Sequence, residues 1–384
     1  MINKFFVHGY KSLLEVELNP KKLNILVGAN ACGKSSILQT MLLLRQSAKG
    51  ARDVSKLELS GELFEAGTTR DALNPEARAS GINILIENEE FSSEATFSTK
   101  STGQDYLRQL EATSALQLPN ALVNETGDGF AYLSAERIGP RVVYPLPMPN
   151  SMLAGPIGMH GEFTTAFLAR CQQSNTTPAL DWYNLLTKAA EFMPEDLILD
   201  EGAKANLTRL DLVTNRIMAW LFPGAEFDAT EHSVSDSAQL SYLRDPSGVR
   251  SPVRPTHMGF GLTFTLPVIA ATVAMKQNGL LLIENPEAHL HPTSQSRIGS
   301  FLALAARDGA QSFIETHSDH VINGIRLAVK GKLINSEDVK FFYFRKRLRN
   351  DSTRVTNLSI FDDGRIDKWP EGFFDQIAKD LSRL

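Results

Sequence analysis

The sequence predicts an α/β protein in which a mixed β-sheet is flanked by helices and carries a small helical insertion. Two apolar runs, residues 23–27 and 280–284, have the length and composition of buried strands. The first run passes through a glycine-rich loop into residues 36–46, whose apolar side chains recur at helical spacing. Residues 164–221, between the two runs, show helical spacing again. Strands that alternate with helices in this way are typical of a sheet covered by helices.

The chain is predicted to open with β-structure. Residues 2–8 and 13–18 alternate or cluster β-forming side chains on either side of a turn at residues 9–12. Similar short runs follow at residues 82–86, 95–97, 130–133 and 227–244, the last of which reads as a strand pair. We therefore expect several strands around the two long apolar runs.

Composition limits the class of protein. The chain has 384 residues, 42% of them apolar, which can fill one large α/β domain with an insertion or two modest domains. Its net charge of −5 gives no global attraction to nucleic acid. Only two cysteines are present, Cys32 and Cys171, and no apolar run is long enough to span a bilayer. We expect a cytoplasmic protein without membrane contact.

The positions of these patterns predict four segments. Residues 1–150 form the N-terminal part of the main domain, and residues 151–252 form a mainly helical insertion with a strand pair. Residues 253–330 complete the main domain. Residues 331–384 form a C-terminal β-hairpin and a tail.

The loop after the first apolar run has the P-loop pattern G-x-x-x-x-G-K-[ST]. Its glycines let the backbone wrap around phosphates, and its N–H groups and the helix N-terminus bind the anion. Lys34 is expected to reach the β- and γ-phosphates, and Ser35 to ligate Mg²⁺. A glycine-rich turn with an unrelated lysine is the alternative, which the flanking strand and helix disfavour. The pattern predicts that ATP is bound by Gly28, Asn30, Gly33, Lys34, Ser35 and Ser36.

The second apolar run ends in a carboxylate, Glu284. An apolar strand that ends in an acid is the Walker B pattern, whose acid holds Mg²⁺ through water and orients the attacking water. A core strand capped by a solvated glutamate is the alternative. Residues 312–318 form another strand that ends in polar residues, and His317 there is a candidate to contact the γ-phosphate or the attacking water. A lone histidine is more often structural.

Three motifs of the sequence, taken in chain order, resemble those of the ABC-type ATPase heads of the OLD, RecF and SMC group. The motifs are G-x-N-x-x-G-K-S, I-E-N-P-E-A-H-L-H-P and E-T-H-S-D-H. The resemblance covers the N-terminal third of the chain and residues 255–330. It implies a P-loop NTPase with an ABC-ATPase-like head, in which two copies sandwich two ATP molecules and hydrolysis reopens the pair.

The resemblance also implies roles for single residues. Glu284 takes the position of the acid linked to Mg²⁺, and His317 that of the switch histidine. Residues 256–262 take the position of the signature loop that caps ATP bound to a second copy, where Gly259 and Gly261 suit a close approach of backbone to phosphate. On local sequence alone, the two glycines fit an ordinary turn before a helix equally well.

Two positions depart from the ABC pattern. Phe264 follows Thr263 in the signature region, where relatives often carry a polar pair. Asn285 stands directly after the acid linked to Mg²⁺, where the pattern has its catalytic glutamate. Either Glu287 or another group then supplies the general base, or turnover is slow. The candidate catalytic residues are therefore Glu284, Glu287 and His317.

Two further segments are similar to a stand-alone bacterial branch of these ATPases. They are residues 132–141 and residues 363–375. Several members of that branch occur in phage-defence or mobile-element operons beside a separate effector. For Arg137 and Arg141, in the first segment, a role in phosphate sensing or dimer contact stands against structural ion pairing.

The leading hypothesis is an ATP-hydrolysing, homodimeric or higher homo-oligomeric switch that regulates a phage-defence complex with a separate nuclease or toxin. No carboxylate cluster resembles the toprim nuclease module of OLD proteins, so a partner is expected to cut any nucleic acid. A RecF-like DNA-maintenance ATPase and an ATP-binding scaffold with little turnover are the alternatives. Residues 340–349 mix aromatic and cationic side chains and offer a nucleic-acid contact, or else a buried strand with a solvated turn.

Overall fold

The computed structural model describes residues 1–77, 80–99, 107–123, 129–148, 152–193, 207–244, 251–346, 352–368, 370 and 382. The chain divides into two compact units. The first consists of Met1–Glu125, Phe313–Asp319 and Ser336–Leu384, and the second of Thr126–Ser312 and His320–Asn335. The division into four segments at residues 150, 252 and 330 stays a prediction.

An antiparallel six-stranded sheet forms one part of the first unit. Its strand order is β2-β1-β5-β6-β7-β4. The strands are β1 (Ile2–Tyr10), β2 (Leu13–Leu18), β4 (Asp53–Glu58), β5 (Ile82–Asn88), β6 (Ser92–Ser98) and β7 (Gln109–Gln117). In β1 the buried side chains largely alternate with more exposed ones, which is the pattern that predicted this strand.

A second set of strands in the first unit carries the P-loop. β3 (Leu23–Gly28) pairs in parallel with β15 (Val339–Lys346), and β15 pairs antiparallel with β16 (Thr353–Leu358). On its other side β3 neighbours β14 (Gln311–Glu315), and the Thr316 N–H donates to Leu26 O over 3.2 Å. Helix α1 (Lys34–Ala48) follows β3, and α2 (Thr69–Ala72) and α3 (Asn120–Val123) are short. The predicted strand, loop and helix are confirmed.

The aromatic side chains of residues 340–349 belong to β15. Phe341, Phe342 and Phe344 are fully buried, which confirms their interpretation as a buried strand. The predicted solvated turn after these aromatic residues, at residues 345–351, lies largely outside the described residues, as do residues 371–375 of the tail.

The second unit contains the helices predicted between residues 164 and 221 and the strand that ends at Glu284. Its helices are α4 (Thr164–Gln173), α5 (Trp182–Phe192), α6 (Leu210–Leu221), α7 (Phe260–Ala274), α8 (Pro292–Asp308) and most of α9 (Asp319–Lys330). β13 (Leu280–Glu284) pairs in parallel with β8 (Phe130–Leu133). A small antiparallel sheet joins β9 (Tyr144–Pro145), β10 (Glu226–His232), β11 (Ser237–Arg244) and β12 (Ser251–Val253).

Close packing holds the second unit together. The rings of Trp182 and Phe301 stack with centroids 5.8 Å apart, joining α5 to α8. Gly324 on α9 faces the backbone of Ser296 on α8, where an added Cβ would overlap the carbonyl oxygen. Helix α7 is apolar all round and mostly buried, as such helices must be. Within the described parts of the chain, no helix combines the length and apolar character that crossing a bilayer requires.

Candidate nucleotide-binding site

The loop after β3 adopts backbone angles at two positions that glycine accommodates readily. Gly28 has φ 142° and Gly33 has φ 94°, both in the region that L side chains rarely adopt. A Cβ at Gly28 would overlap the Phe344 carbonyl oxygen and lie 3.1 Å from its carbon. The first glycine of the motif is therefore required both by its backbone angle and by the neighbouring strand β15.

Lys34 is the first residue of α1 and is buried, with 3% of its surface exposed. Its Nζ donates hydrogen bonds to two carbonyls of its own loop, Gly28 O at 3.1 Å and Ala29 O at 2.8 Å. Burial lowers the pKa of Lys34, and the nearby Glu315 carboxylate opposes this shift. The ammonium is thus folded back into the loop at the position where phosphates are expected.

A cavity of about 500 Å³ lies against this loop. Five of the six predicted loop residues line it, and so does the predicted switch histidine; Gly28 does not line the cavity but holds Lys34 through its carbonyl. The lining residues are Lys11, Ser12, Asn30, Ala31, Cys32, Gly33, Lys34, Ser35, Ser36, Gln39, Glu315 and His317. The first unit therefore gathers P-loop residues and a strand-end histidine around one cavity of a size that accommodates a small ligand.

Glu315 is a cavity residue for which the sequence predicted no role, although it is the first residue of the motif E-T-H-S-D-H. Its Oε1 lies 3.8 Å from Lys34 Nζ and 3.9 Å from His317 Nε2, and its side chain is 7% exposed. Burial lowers the pKa of His317, and the charge of Lys34 lowers it further, so the imidazole is neutral at pH 7. The only sequence signal for Glu315 is its place at the end of a buried strand, two residues before the histidine.

Lys11 brings a second ammonium to the cavity. It has φ 47°, its Nζ donates to Gln39 Oε1 over 2.9 Å, and the Phe64 ring centroid lies 4.7 Å from Nζ. Burial lowers the pKa of Lys11. Neither Lys11 nor Gln39 was predicted, because the turn between β1 and β2 and a mid-helix glutamine carry no motif.

Thr353, at the start of β16, braces the loop from the C-terminal hairpin. Its Oγ1 lies 2.9 Å from Cys32 O and 2.9 Å from Ser12 Oγ, and its N–H donates to Ser12 O over 2.8 Å. The residue is 1% exposed. A carbonyl oxygen only accepts, so the threonine proton serves Cys32, and the Ser12 hydroxyl can donate to Thr353. This chain of bonds fixes the loop immediately before Gly33.

We expect Thr353→Val to weaken ATP binding about tenfold and to destabilise the fold by about 1–3 kcal/mol, because a buried carbonyl loses its donor. Thr353→Ser keeps the hydroxyl and should bind ATP as the wild type does. Titration with a fluorescent ATP analogue and thermal melting measure the two effects. If the valine and serine variants bind and melt alike, the hydroxyl does not brace the loop.

In the second unit, the Glu284 carboxylate at the end of β13 is held by two donors. Tyr132 Oη donates to Oε1 over 3.1 Å, and the Ala135 N–H donates to Oε2 over 3.2 Å. Burial raises the pKa of Glu284, and these two hydrogen bonds oppose the shift. Tyr132 is placed there by the parallel pairing of β8 with β13. Glu284 is therefore a positioned acid rather than a freely solvated strand cap.

Arg137 is a structural link in the same region. It is 5% exposed and donates to Glu284 O at 2.8 Å, to Ser134 O at 3.2 Å and to Asn285 O. Burial lowers the pKa of Arg137 to about 10, against the raising effect of Glu287 and then Glu284. Bonds to backbone carbonyls favour the structural reading over phosphate sensing for this arginine.

Gly259 and Gly261 lie at the start of α7. Gly259 is the N-cap, and an added Cβ there would meet no atom within 4 Å. At Gly261 an added Cβ would lie 2.8 Å from His289 O. Close packing within the unit thus explains the glycine at Gly261, whereas Gly259 faces open space.

The donor chemistry of the loop suits Mg²⁺. Among the described residues, no group of three or more His, Cys, Asp or Glu side chains is arranged to hold a metal ion. Mg²⁺ usually takes one or two protein oxygens together with phosphate oxygens, not a complete protein cage. The Ser35 hydroxyl lines the cavity and is an oxygen donor of this kind.

Three family models match parts of the chain. An AAA ATPase domain matches residues 1–118, which include the loop and α1. A model described as "AAA domain, putative AbiEii toxin, Type IV TA system" matches residues 184–323, and one described as a protein of unknown function (DUF3696) matches residues 334–384. Residues 1–118 and 184–323 are thus similar to ATPase domains of the AAA type. Among curated proteins, none matches the chain.

Solved structures of Smc heads are similar to the chain. An Smc head bound to the C-winged helix domain of ScpA has a TM-score of 0.50 and 15% identity, over 93% of this chain and 98% of that one. A Pyrococcus furiosus head with an extended coiled coil has a TM-score of 0.49 and 15% identity, over 100% and 98%. The Thermotoga maritima head has 0.44 and 12%, over 94% and 100%. With the ATPase domains, the first of these shows the predicted fold: sheets flanked by helices, as in an SMC or ABC-type P-loop head.

Proposed function

We propose that the chain binds and hydrolyses ATP with Mg²⁺ and uses it as an ATP-dependent homodimeric or higher homo-oligomeric switch. The observation that carries this proposal is the buried Lys34 ammonium, which lies at the floor of a cavity lined by the P-loop. The two loop carbonyls that accept hydrogen bonds from Lys34 are neutral. A triphosphate is negatively charged and therefore forms stronger hydrogen bonds with the ammonium. ATP is therefore expected to draw Lys34 out of the loop.

The predicted site residues take distinct roles in this proposal. The N–H groups of the loop and Lys34 bind the phosphates, and the Ser35 hydroxyl and the Glu284 carboxylate hold Mg²⁺, which when bound neutralises phosphate charge. His317, neutral and 38% exposed at the cavity, accepts or donates a hydrogen bond at the γ-phosphate. Gly259 and Gly261 cap the ATP of a second copy.

The biological setting is the regulation of an anti-phage defence complex in the cytoplasm, with a separately encoded nuclease or toxin as effector. The resemblance of residues 132–141 to a branch found in defence operons supports it. So does the match of residues 184–323 to a model whose description mentions a toxin system. In this proposal Glu284 and Glu287 take part in ATP hydrolysis, and the separately encoded effector does any cutting.

ATP turnover by wild type and Lys34→Ala, followed together with mass by light scattering, tests the proposal. We expect the wild type to hydrolyse ATP and to gain mass with ATP, and Lys34→Ala to lose both, because P-loop phosphate binding depends on this ammonium. Lys56→Ala is a matched control, since Lys56 is an exposed lysine on β4 of the same unit.

Three outcomes would contradict parts of the proposal. Equal turnover in wild type and Lys34→Ala would exclude this site as the source of hydrolysis. ATP-dependent assembly without turnover would favour the scaffold. Stimulation of turnover by duplex DNA in the purified chain would favour DNA maintenance over a defence switch.

A further inference from the structure

The cavity beside the P-loop contains one carboxylate among its twelve lining residues, and this is Glu315. It lies in the first unit with Lys34, Ser35 and His317, at the end of β14. Its Oε1 is 3.8 Å from Lys34 Nζ, a pair whose two side chains are almost fully buried. An acid placed in a pocket that is expected to bind a polyanion opposes binding, so its position needs a reason other than affinity.

Lys34 and Glu315 balance each other's charge while the cavity holds no phosphate. A buried ion pair is stabilised only while both partners are present, and loss of one leaves an uncompensated charge. When the ammonium turns to a phosphate ligand, Glu315 loses part of its neutralising partner. Its carboxylate then becomes a stronger proton acceptor in the cavity, beside a histidine that carries no charge of its own.

Three other candidates, Asn285, Glu284 and Glu287, are less suited to accept the proton of the attacking water. Asn285, in the position where the ABC pattern has its glutamate, carries an amide that cannot accept a proton at neutral pH. Both carboxylate oxygens of Glu284 already accept hydrogen bonds, from Tyr132 and the Ala135 N–H. The charge of Glu287 raises the pKa of the Arg137 guanidinium, so this carboxylate already interacts with a buried cation.

We propose that Glu315 is the general base of ATP hydrolysis in this chain, a role that rests on the proposed function. In this step the water oxygen forms the new bond to the γ-phosphorus. The bond from that phosphorus to the β–γ bridging oxygen breaks, and its electron pair leaves with ADP. One water proton passes to a Glu315 carboxylate oxygen and is later released to solvent. Lys34, drawn to the phosphates, neutralises the charge that develops there.

Glu315→Gln separates this role from a purely structural one. Glutamine keeps the shape and removes both the negative charge and the proton acceptor. We expect ATP to bind about 3- to 10-fold more tightly, because Lys34 is released from its counter-ion, and steady-state turnover to fall about 100-fold or more, the usual contribution of a general base. Glu62→Gln, at an exposed glutamate of the same unit, is the matched control.

Glu315→Asp is a second variant that tests the proposal even if Glu315→Gln does not fold. It keeps the charge and withdraws the carboxylate by one methylene, so ATP affinity should stay within about twofold while turnover falls about tenfold. Affinity is measured with a fluorescent ATP analogue, turnover by phosphate release, and folding by thermal melting.

The opposite results overturn the assignment. Turnover of Glu315→Gln within about twofold of wild type excludes a general base, whether or not ATP binds more tightly. If both variants melt normally but lose ATP binding as well as turnover, Glu315 only positions Lys34 and is not the general base. If wild type and Lys34→Ala hydrolyse ATP equally, the proposed function itself has failed, which is a separate result.

Discussion

Gly33→Ala is expected to abolish ATP binding while the chain remains folded. Gly33 is the N-cap of α1 and has φ 94°, a conformation that alanine adopts only with strain. A Cβ there would overlap Thr353 Oγ1 and would lie 2.9 Å from Ser12 Oγ. Relief requires either the loop to move or the Thr353 and Ser12 hydroxyls to turn away. Both changes break the bonds that hold the loop, so we expect the N–H groups and Lys34 to be misplaced. We expect at least about a 100-fold loss of affinity, as for displaced phosphate-binding geometry.

Gly129→Ala provides a control with nearly the same backbone angle. Gly129 has φ 92°, and its nearest neighbour to an added Cβ is Gly279 Cα at 3.8 Å. The control therefore carries the conformational strain without the steric overlap at the loop. Calorimetric titration with ATP and thermal melting compare the two variants. Unchanged ATP affinity in Gly33→Ala would show that the loop can shift without cost to binding.

Gly324→Ala is expected to destabilise the chain by about 2 kcal/mol or more, although alanine is the better helix former. Gly324 lies within α9, so propensity alone predicts a gain of about 0.5–1 kcal/mol. An added Cβ would overlap Ser296 O and lie 2.8 Å from its carbonyl carbon and 3.0 Å from Ser300 N. These are backbone atoms of α8, which move only if the helices separate.

If Gly324→Ala lowers the stability of the chain, helix packing outweighs helix propensity at this position. If it raises the stability, propensity outweighs packing. Asn323→Ala, at the neighbouring exposed position of α9, measures the propensity effect and should be close to neutral. Chemical denaturation of wild type and both variants gives the comparison. A Gly324→Ala variant as stable as Asn323→Ala would mean that α8 and α9 are not in close backbone contact.

Local patterns explain why much of the fold could be predicted from sequence. Alternation in β1, the apolar run of β3 and the helical spacing of α1 each reflect neighbours within a few residues along the chain. The P-loop is recognisable for the same reason, because its glycines and Lys34 serve one short backbone turn. Patterns of this kind need no knowledge of distant contacts.

The missed cavity residues have the opposite character. Thr353 bonds to a carbonyl 321 positions earlier in the chain, and Glu315 faces Lys34 from another strand. Thr353 belongs to no motif, and the motif that begins with Glu315 points to its histidine, since the roles of both residues depend on which strands are neighbours in the sheet. Arg137 was read evenly as phosphate sensor or structural residue, because an arginine in a polar segment does not reveal whether it is buried.

The brace between the C-terminal hairpin and the P-loop has a consequence during synthesis on the ribosome. The loop residues emerge early, but their supporting partners, β15 and Thr353, are translated long after them. Contacts of such high sequence separation form late, since the intervening chain must first be made and ordered. A nascent chain therefore lacks the bonds from Thr353 to Ser12 and Cys32 until translation has passed residue 353.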